Sequence, residues 1–202
     1  MARPQAADYD ARREAIVERA AELFAAQGFR GASVADLAAA CSTSKSLFYH
    51  YYPSKEDVLY AVMASHIEAL VEAAQAVEQE GSDAASRLGR LIQRFMGLYV
   101  GAAARQKVLL NEMDNLPAAR RADIVAKQRS LIALVERLLG ELHPPLRFDA
   151  PRRRAAAMLL FGMINWTHTW FDPAGAVSAE EIGKMATRLV IAGLGPAVGQ
   201  AS

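Results

Sequence analysis

The side chains best suited to act on another molecule cluster between Cys41 and Lys55, in the run CSTSKSLFYHYYPSK. Lys45 and Lys55 can neutralise phosphates, Ser44 and Ser46 can bond phosphate oxygens or base edges, and Tyr49 and His50 can donate to a nucleic-acid backbone. The run holds two lysines and no acidic residue. This is chemistry for recognising an anionic polymer, not for breaking bonds. The constellations that catalysis needs are missing elsewhere: there is no nucleophile elbow, glycine-rich oxyanion loop, GxGxxG or phosphate-binding loop. His168 and Asp172, at i and i+4, offer two metal ligands without a third, and His66 and His143 stand alone. The single cysteine, Cys41, excludes an internal disulfide and a multi-cysteine metal site, suits a reducing compartment, and reads as a small buried filler. The expectation is a non-enzyme with no catalytic residue, no metal and no cofactor.

For those residues to share a surface they must stand on a helix. From Ser44 onward, at 100° per residue, Leu47, Phe48, Tyr51 and Tyr52 cluster on one side, Ser46, Tyr49 and His50 face away, and Lys45 flanks them. Pro53 ends this helix by pushing the preceding residue out of the α region. Upstream, Ser33 serves as an N-cap, with Asp36 at the third position and Val34, Leu37, Ala38 and Cys41 following at i, i+3, i+4 and i+7. A first helix spans Asp10 to Gln27, its stripe being Ile16, Val17, Ala20, Leu23 and Phe24, and Gly28 stops it. Three short helices, the last two joined by the small polar turn Cys41 to Thr43, suit a helix-turn-helix whose second helix enters the DNA major groove.

Beyond Ser54, which caps a long helix to about Glu80, the pattern is that of a helical bundle. Its helices are expected over about 83–104, 106–115, 118–142, 152–171 and 179–194, giving about nine in all. Residues 143–151 form the one linker-like loop, docked by Leu146 and Phe148. The whole is all-α, with an N-terminal module over 1–56 and a C-terminal bundle over 57–202. A length of 202 residues with 52% hydrophobic and 22% charged side chains excludes disorder, collagen and disulfide scaffolds. The net charge is only +1, and residues 1–56 carry seven basic and seven acidic side chains. Any DNA contact must therefore come from a local face. The apolar stretch Ala155 to Trp166 is too short to span a bilayer, and MARPQAADYD lacks a signal-peptide core. A cytoplasmic protein without membrane contact is expected.

The ordered run GFRGASVADLAAACSTSKSLFYHYYPSKEDVL resembles the DNA-binding signature of the TetR/AcrR family of one-component repressors. The matching features are the glycine before the second helix, Ser33, Leu37/Ala38, Ser44, the aromatic group Phe48 to Tyr52, and Pro53-Ser54-Lys55. One position departs: the family usually has glycine in the turn where Ser42 stands, and serine holds a positive φ there only at a backbone cost. The resemblance implies that Ser33, Ser44, Lys45, Ser46, Tyr49, His50 and Lys55 face DNA, with Arg30 a weaker backbone candidate. It also implies a homodimer through the last two helices, a near-palindromic operator, and a small-molecule effector held among the middle helices.

The segment GMINWTHTWFDPAGAVSAEEIG is similar to the end of acyl-CoA-responsive members, through Asn165, Trp166, Trp170, Phe171, Pro173 and Gly175. An acyl-CoA thioester would need an apolar tunnel, for which Phe95, Tyr99, Met113, Met158, Phe161 and Asn165 are the candidates, and cations for its phosphates. Arg90, Arg94, Arg105, Lys107 and Arg152 to Arg154 could supply those cations. Two alternatives stay open: a different lipophilic or aromatic effector with the same DNA-binding role, and a helical small-molecule binding module without DNA binding.

Overall fold

The structure is a computed structural model in which residues 3–194 are described, with side chains from Tyr9 onward. Every regular element among the described residues is helical. The order is α1 (Arg3–Gly31), α2 (Val34–Ala40), α3 (Lys45–Tyr51), α4 (Lys55–Glu78), α5 (Ala84–Gly101), α6 (Ala103–Asn111), a 3₁₀ turn (Met113–Asn115), α7 (Ala118–Leu142), α8 (Pro144–Arg147), α9 (Ala150–Asn165), α10 (Thr167–Trp170) and α11 (Ala179–Gly193).

Most of these follow the expected spans, and the differences have local causes. Helix α1 starts at Arg3 because Pro4 is tolerated in a first turn, where its missing N–H has no intrahelical partner to lose. Gly28 does break it, at φ 75 and ψ 160, a region open essentially to glycine alone, and the chain turns once more to Gly31. The helix expected over 152–171 splits at Trp166. There Thr167 Oγ1 and Thr169 Oγ1 donate to Ile164 O and Trp166 O, and His168 Nδ1 lies 2.7 Å from Asn165 O. Side chains thus compete for the carbonyls that would continue the helix. The 143–151 loop contains α8, with proline at its first positions. Phe148 does not dock this loop: it is 89% exposed. Arg153 Nη1 holds the loop instead, donating to Leu146 O at 2.9 Å and Arg147 O at 2.8 Å.

By packing, the chain forms two compact units: Met1–Glu68 with Ala102–Val125, and Ala69–Gly101 with Ala126–Ser202. The first holds the whole 1–56 segment together with α6 and the 3₁₀ turn. Its core contains Ile16, Phe24, Leu37, Phe48 and Leu59, all nearly inaccessible to solvent, and α6 lies along α1. The core of the second is built on Leu88, Leu91, Ile92, Phe95 and Met96 of α5, with Leu160 and Ile164 of α9. Here α11 packs on α5 and α9. The approach is close: a Cβ on Gly183 would stand 2.8 Å from Gln93 Nε2, and Gln93 donates to Glu180 O at 2.9 Å.

Candidate nucleic-acid interface

Helix α3, expected to be the reading helix, is held by contacts set within a few residues of sequence. Ser33 and Asp36 form a reciprocal capping box at the start of α2: Ser33 Oγ accepts from Asp36 N, while Asp36 Oδ2 accepts from Ser33 N at 2.8 Å and Ser33 Oγ at 2.6 Å. Those bonds hold the Asp36 carboxyl below its usual pKa. At the other end of α2, Ser42 N donates to Ala39 O and Thr43 N to Ala38 O, the paired bonds of a Schellman turn, with Ser42 at φ 51. Serine thus occupies the left-handed position suited to glycine. Ser42→Gly should relieve about 1–2 kcal/mol of left-handed strain against about 0.5–1 kcal/mol of added chain entropy. The net expectation is a slightly higher melting temperature, and a lower one would show the turn unstrained.

Ser44 then caps α3, accepting from Leu47 N at 3.1 Å. Phe48 and Tyr52 are buried, whereas Ser44, Lys45, Ser46, Tyr49 and His50 are exposed. The structure therefore brings five of the seven expected DNA contacts onto one surface. Leu47, expected on the inward side, is 39% exposed and borders that surface; its position on the first turn of α3 carries it past the edge of the core.

The other two stand in a different role. The hydroxyl of Ser33 is occupied by the capping box, and Lys55 Nζ donates to Phe29 O and Ala32 O, each at 2.8 Å, while lying 4.1 Å from the Phe29 ring centre. Two of the three ammonium donors thus tie α4 to the α1–α2 junction.

Tyr9 of α1, which the sequence pattern left outside the first helix, packs against the end of α3. Its ring centre is 4.9 Å from that of Tyr51 and 6.1 Å, edge-on, from His50. Arg13, one turn on, lies over the Tyr52 ring at 5.0 Å. The Cys41 thiol is pushed up in pKa by burial, with Arg19 opposing, the direction away from a reactive thiolate.

Of the six side chains expected to line an effector tunnel, three meet. In the second unit Phe95 stacks on Tyr99 at 6.2 Å between centroids and lies 6.4 Å from Phe161, all three buried. Asn165 is half-buried at the end of α9, and Met113 belongs to the 3₁₀ turn of the first unit. Met158 is excluded from a tunnel within the chain: it is 48% exposed, because the buried stripe of α9 runs through Ala156, Ala157, Leu160, Phe161 and Ile164. The opposite stripe, with Leu159, Met163 and Trp166, is exposed too, as are Met185 and Leu189 on α11. Several of the expected cations are already paired: Arg90 and Arg94 with Glu80, Arg105 with Glu14 and Glu18, and Arg154 with Glu136.

One polar pair escaped the sequence pattern. His66 of α4 and Gln106 of α6 are each 2% exposed, and His66 Nε2 lies 2.8 Å from Gln106 Oε1. Burial holds the His66 pKa below its ordinary value, the Gln106 hydrogen bond opposing and the Arg105 charge adding. The unfolded chain then binds a proton that the fold resists. Stability from this group is complete above the ordinary pKa of about 6.5 and falls as the pH drops below it. Between about pH 7 and pH 5.5, the melting temperature should fall more steeply for the wild type than for His66→Gln. Equal slopes would remove His66 as the titrating group.

Among the described residues no helix is long and apolar enough to cross a membrane, and no group of three or more His, Cys, Asp or Glu could hold a metal.

Residues 16–62 match the profile of bacterial regulatory proteins of the tetR family, and residues 81–194 match the tetracyclin repressor-like C-terminal domain. The HTH-type transcriptional repressor KstR2 of Rhodococcus jostii (strain RHA1) is 23% identical over 187 residues, 91% of each chain. A TetR-family transcriptional regulator from Bordetella parapertussis 12822 superposes with a TM-score of 0.85 at 37% identity, over 88% of this chain and 93% of that one. AibR, solved in complex with isovaleryl coenzyme A and operator DNA, superposes with a TM-score of 0.78 at 26% identity, over 88% of this chain and 97% of its own.

Proposed function

The chain belongs to the TetR family of bacterial regulatory proteins, and on that premise we propose that it is a homodimeric repressor released from a near-palindromic operator by an acyl-CoA thioester. It is a non-enzymatic, DNA-binding transcriptional repressor of helix-turn-helix type. The observation that carries the finer reading of its DNA contacts is the exposed polar face of α3, Ser44, Lys45, Ser46, Tyr49 and His50, over the buried Phe48 and Tyr52. Lys45 and Ser44 engage phosphates, Ser46 reaches a phosphate or a base edge, and Tyr49 and His50 donate to the backbone.

The exposed apolar stripes of α9 and α11 support dimerisation through those helices, since so much apolar surface on one face marks an interface. A two-fold axis there would set two copies of α3 into major grooves roughly 34–36 Å apart, or a multiple of that. The thioester effector is supported by the operator and isovaleryl-CoA complex of AibR, and by the buried aromatic group Phe95, Tyr99 and Phe161, which can face an acyl chain. The same aromatic group favours, as a second reading, a free lipophilic or aromatic effector. Coupling runs both ways: an effector that lowers DNA affinity binds less tightly to the DNA-bound protein.

Fluorescence anisotropy on DNA from the protein's own upstream region, followed by titration with isovaleryl-CoA, longer thioesters and free CoA, tests this. Release by a thioester and not by free CoA is expected. Specific binding that no thioester disturbs would discard the effector class and keep the repressor.

A further inference from the structure

Residues of α7, α8 and α9 line a groove of about 490 Å³ that lies wholly within the second unit. Its charged side chains are Glu136, Arg137 and Glu141 of α7, Arg147 of α8 and Arg153 of α9. Three of the five are met from outside the groove: Glu136 receives Arg154 at 3.1 Å, Glu141 pairs with Arg87 of α5, and Arg137 pairs with Glu78 of α4. No ion pair joins Arg147 or Arg153 to a carboxylate among the described residues, so the groove keeps two uncompensated positive charges.

The fold sets these two cations side by side. Both stand over Gly140 of α7, where a Cβ would lie 3.5 Å from Arg153 Cδ and 3.7 Å from Arg147 Cα. Arg153 is half-buried, and its Nη1 donates to Leu146 O at 2.9 Å and to Arg147 O at 2.8 Å, which fastens the guanidinium before any ligand arrives. Among the described residues no hydrogen bond uses its Nε or Nη2, the edge with which a guanidinium meets a phosphate through two parallel bonds. Arg147 is exposed beside it. A guanidinium oriented in advance loses less entropy on binding an anion than a free one.

Two positive charges call for a dianion. A phosphate or pyrophosphate group supplies that charge, and its several acceptor oxygens can meet both guanidiniums, whereas a lone carboxylate neutralises only one. We infer that the groove is a phosphate-binding site, in which Arg153 grips the group and Arg147 supplies the second charge. The phosphate belongs either to the nucleotide end of a CoA thioester or to a separate phosphate compound, and different probes separate the two.

Calorimetric titration of the full chain with inorganic pyrophosphate tests the site without any assumption about the effector. Pyrophosphate should bind, and more weakly as salt rises. Arg147→Ala and Arg153→Ala should each weaken it about tenfold or more, through loss of a charged hydrogen bond. Arg152→Ala removes the same charge from an exposed neighbour that faces Asp149 outside the groove, and should leave affinity within about twofold. Should Arg153→Ala loosen the loop whose carbonyls it holds, Arg147→Glu tests the groove with the loop intact, and a loss at least as large is expected. Pyrophosphate that does not bind, or that binds both arginine variants as it binds the wild type, would overturn the inference. An equal loss in Arg152→Ala would do so too, by showing only diffuse attraction. Titration with isovaleryl-CoA then identifies the source. A matching loss in the arginine variants assigns the phosphate to the effector, whereas unchanged thioester affinity beside a lost pyrophosphate site assigns it to a separate compound. A wild type that binds pyrophosphate and no thioester would leave the groove standing and discard the thioester reading.

Discussion

Tyr49→Ala will lower operator affinity at least tenfold and leave the melting temperature nearly unchanged. Tyr49 is 48% exposed, its ring touching Phe48 only edge-on at 6.1 Å between centroids, so truncating it opens no buried cavity. A hydrogen bond to a charged phosphate contributes about 1.5–3 kcal/mol, and a dimer would lose it twice. The loss should fall on the selected operator and on non-specific DNA alike, with the slope of log affinity against log salt nearly unchanged, because the tyrosine is uncharged. Lys45→Ala should behave differently, weakening all duplexes and flattening the salt dependence, because its ammonium neutralises a phosphate charge. Anisotropy on both duplexes across a salt series checks both variants. An unchanged dissociation constant for Tyr49→Ala would remove that residue from the reading face.

Leu159→Arg, and independently Leu189→Arg, will yield a folded monomer that has lost operator affinity more than about hundredfold. Both leucines are largely exposed in the single chain, at 70% and 62%, so arginine can be hydrated there and the protomer keeps its core. In the proposed dimer the same arginine would be buried without a partner, and twice over by symmetry, which costs several kcal/mol. Once the subunits separate, each half-site must be bound without the high effective concentration that the linked partner provides. Sedimentation equilibrium should report half the dimer mass with an unchanged circular dichroism spectrum. A variant that stays dimeric would move the interface off the α9 and α11 stripe.

The reading module was legible in the sequence because its determinants are local. Ser33 caps α2 through Asp36 three residues on, Ser44 caps α3 through the N–H of Leu47, and the turn between them closes between Ala38 and Thr43. The break at Gly28 is likewise a local demand, readable from residue type, whereas the positive φ at Ser42 followed only from the family resemblance, which has glycine there. Helical periodicity placed the apolar faces in the same way, which is why α7 occupies the expected 118–142.

What the pattern could not show depends on partners far away in the chain. Lys55 looked like a free phosphate ligand, yet carbonyls 23 and 26 residues upstream hold it. Met158 and Phe148 have the composition of core residues but lie outside it, since periodicity gives a stripe without saying which neighbour covers it. His66 found its buried partner 40 residues away, and Arg30 found Asn115 at a separation of 85. The sequence by itself determined the helices, their caps and the exposed polar face of α3, because those follow from contacts within one or two turns. Only the tertiary structure decided that α6 and the 3₁₀ turn after it pack along α1, because chain folding, not local propensity, brings residues of such separation into hydrogen-bonding distance.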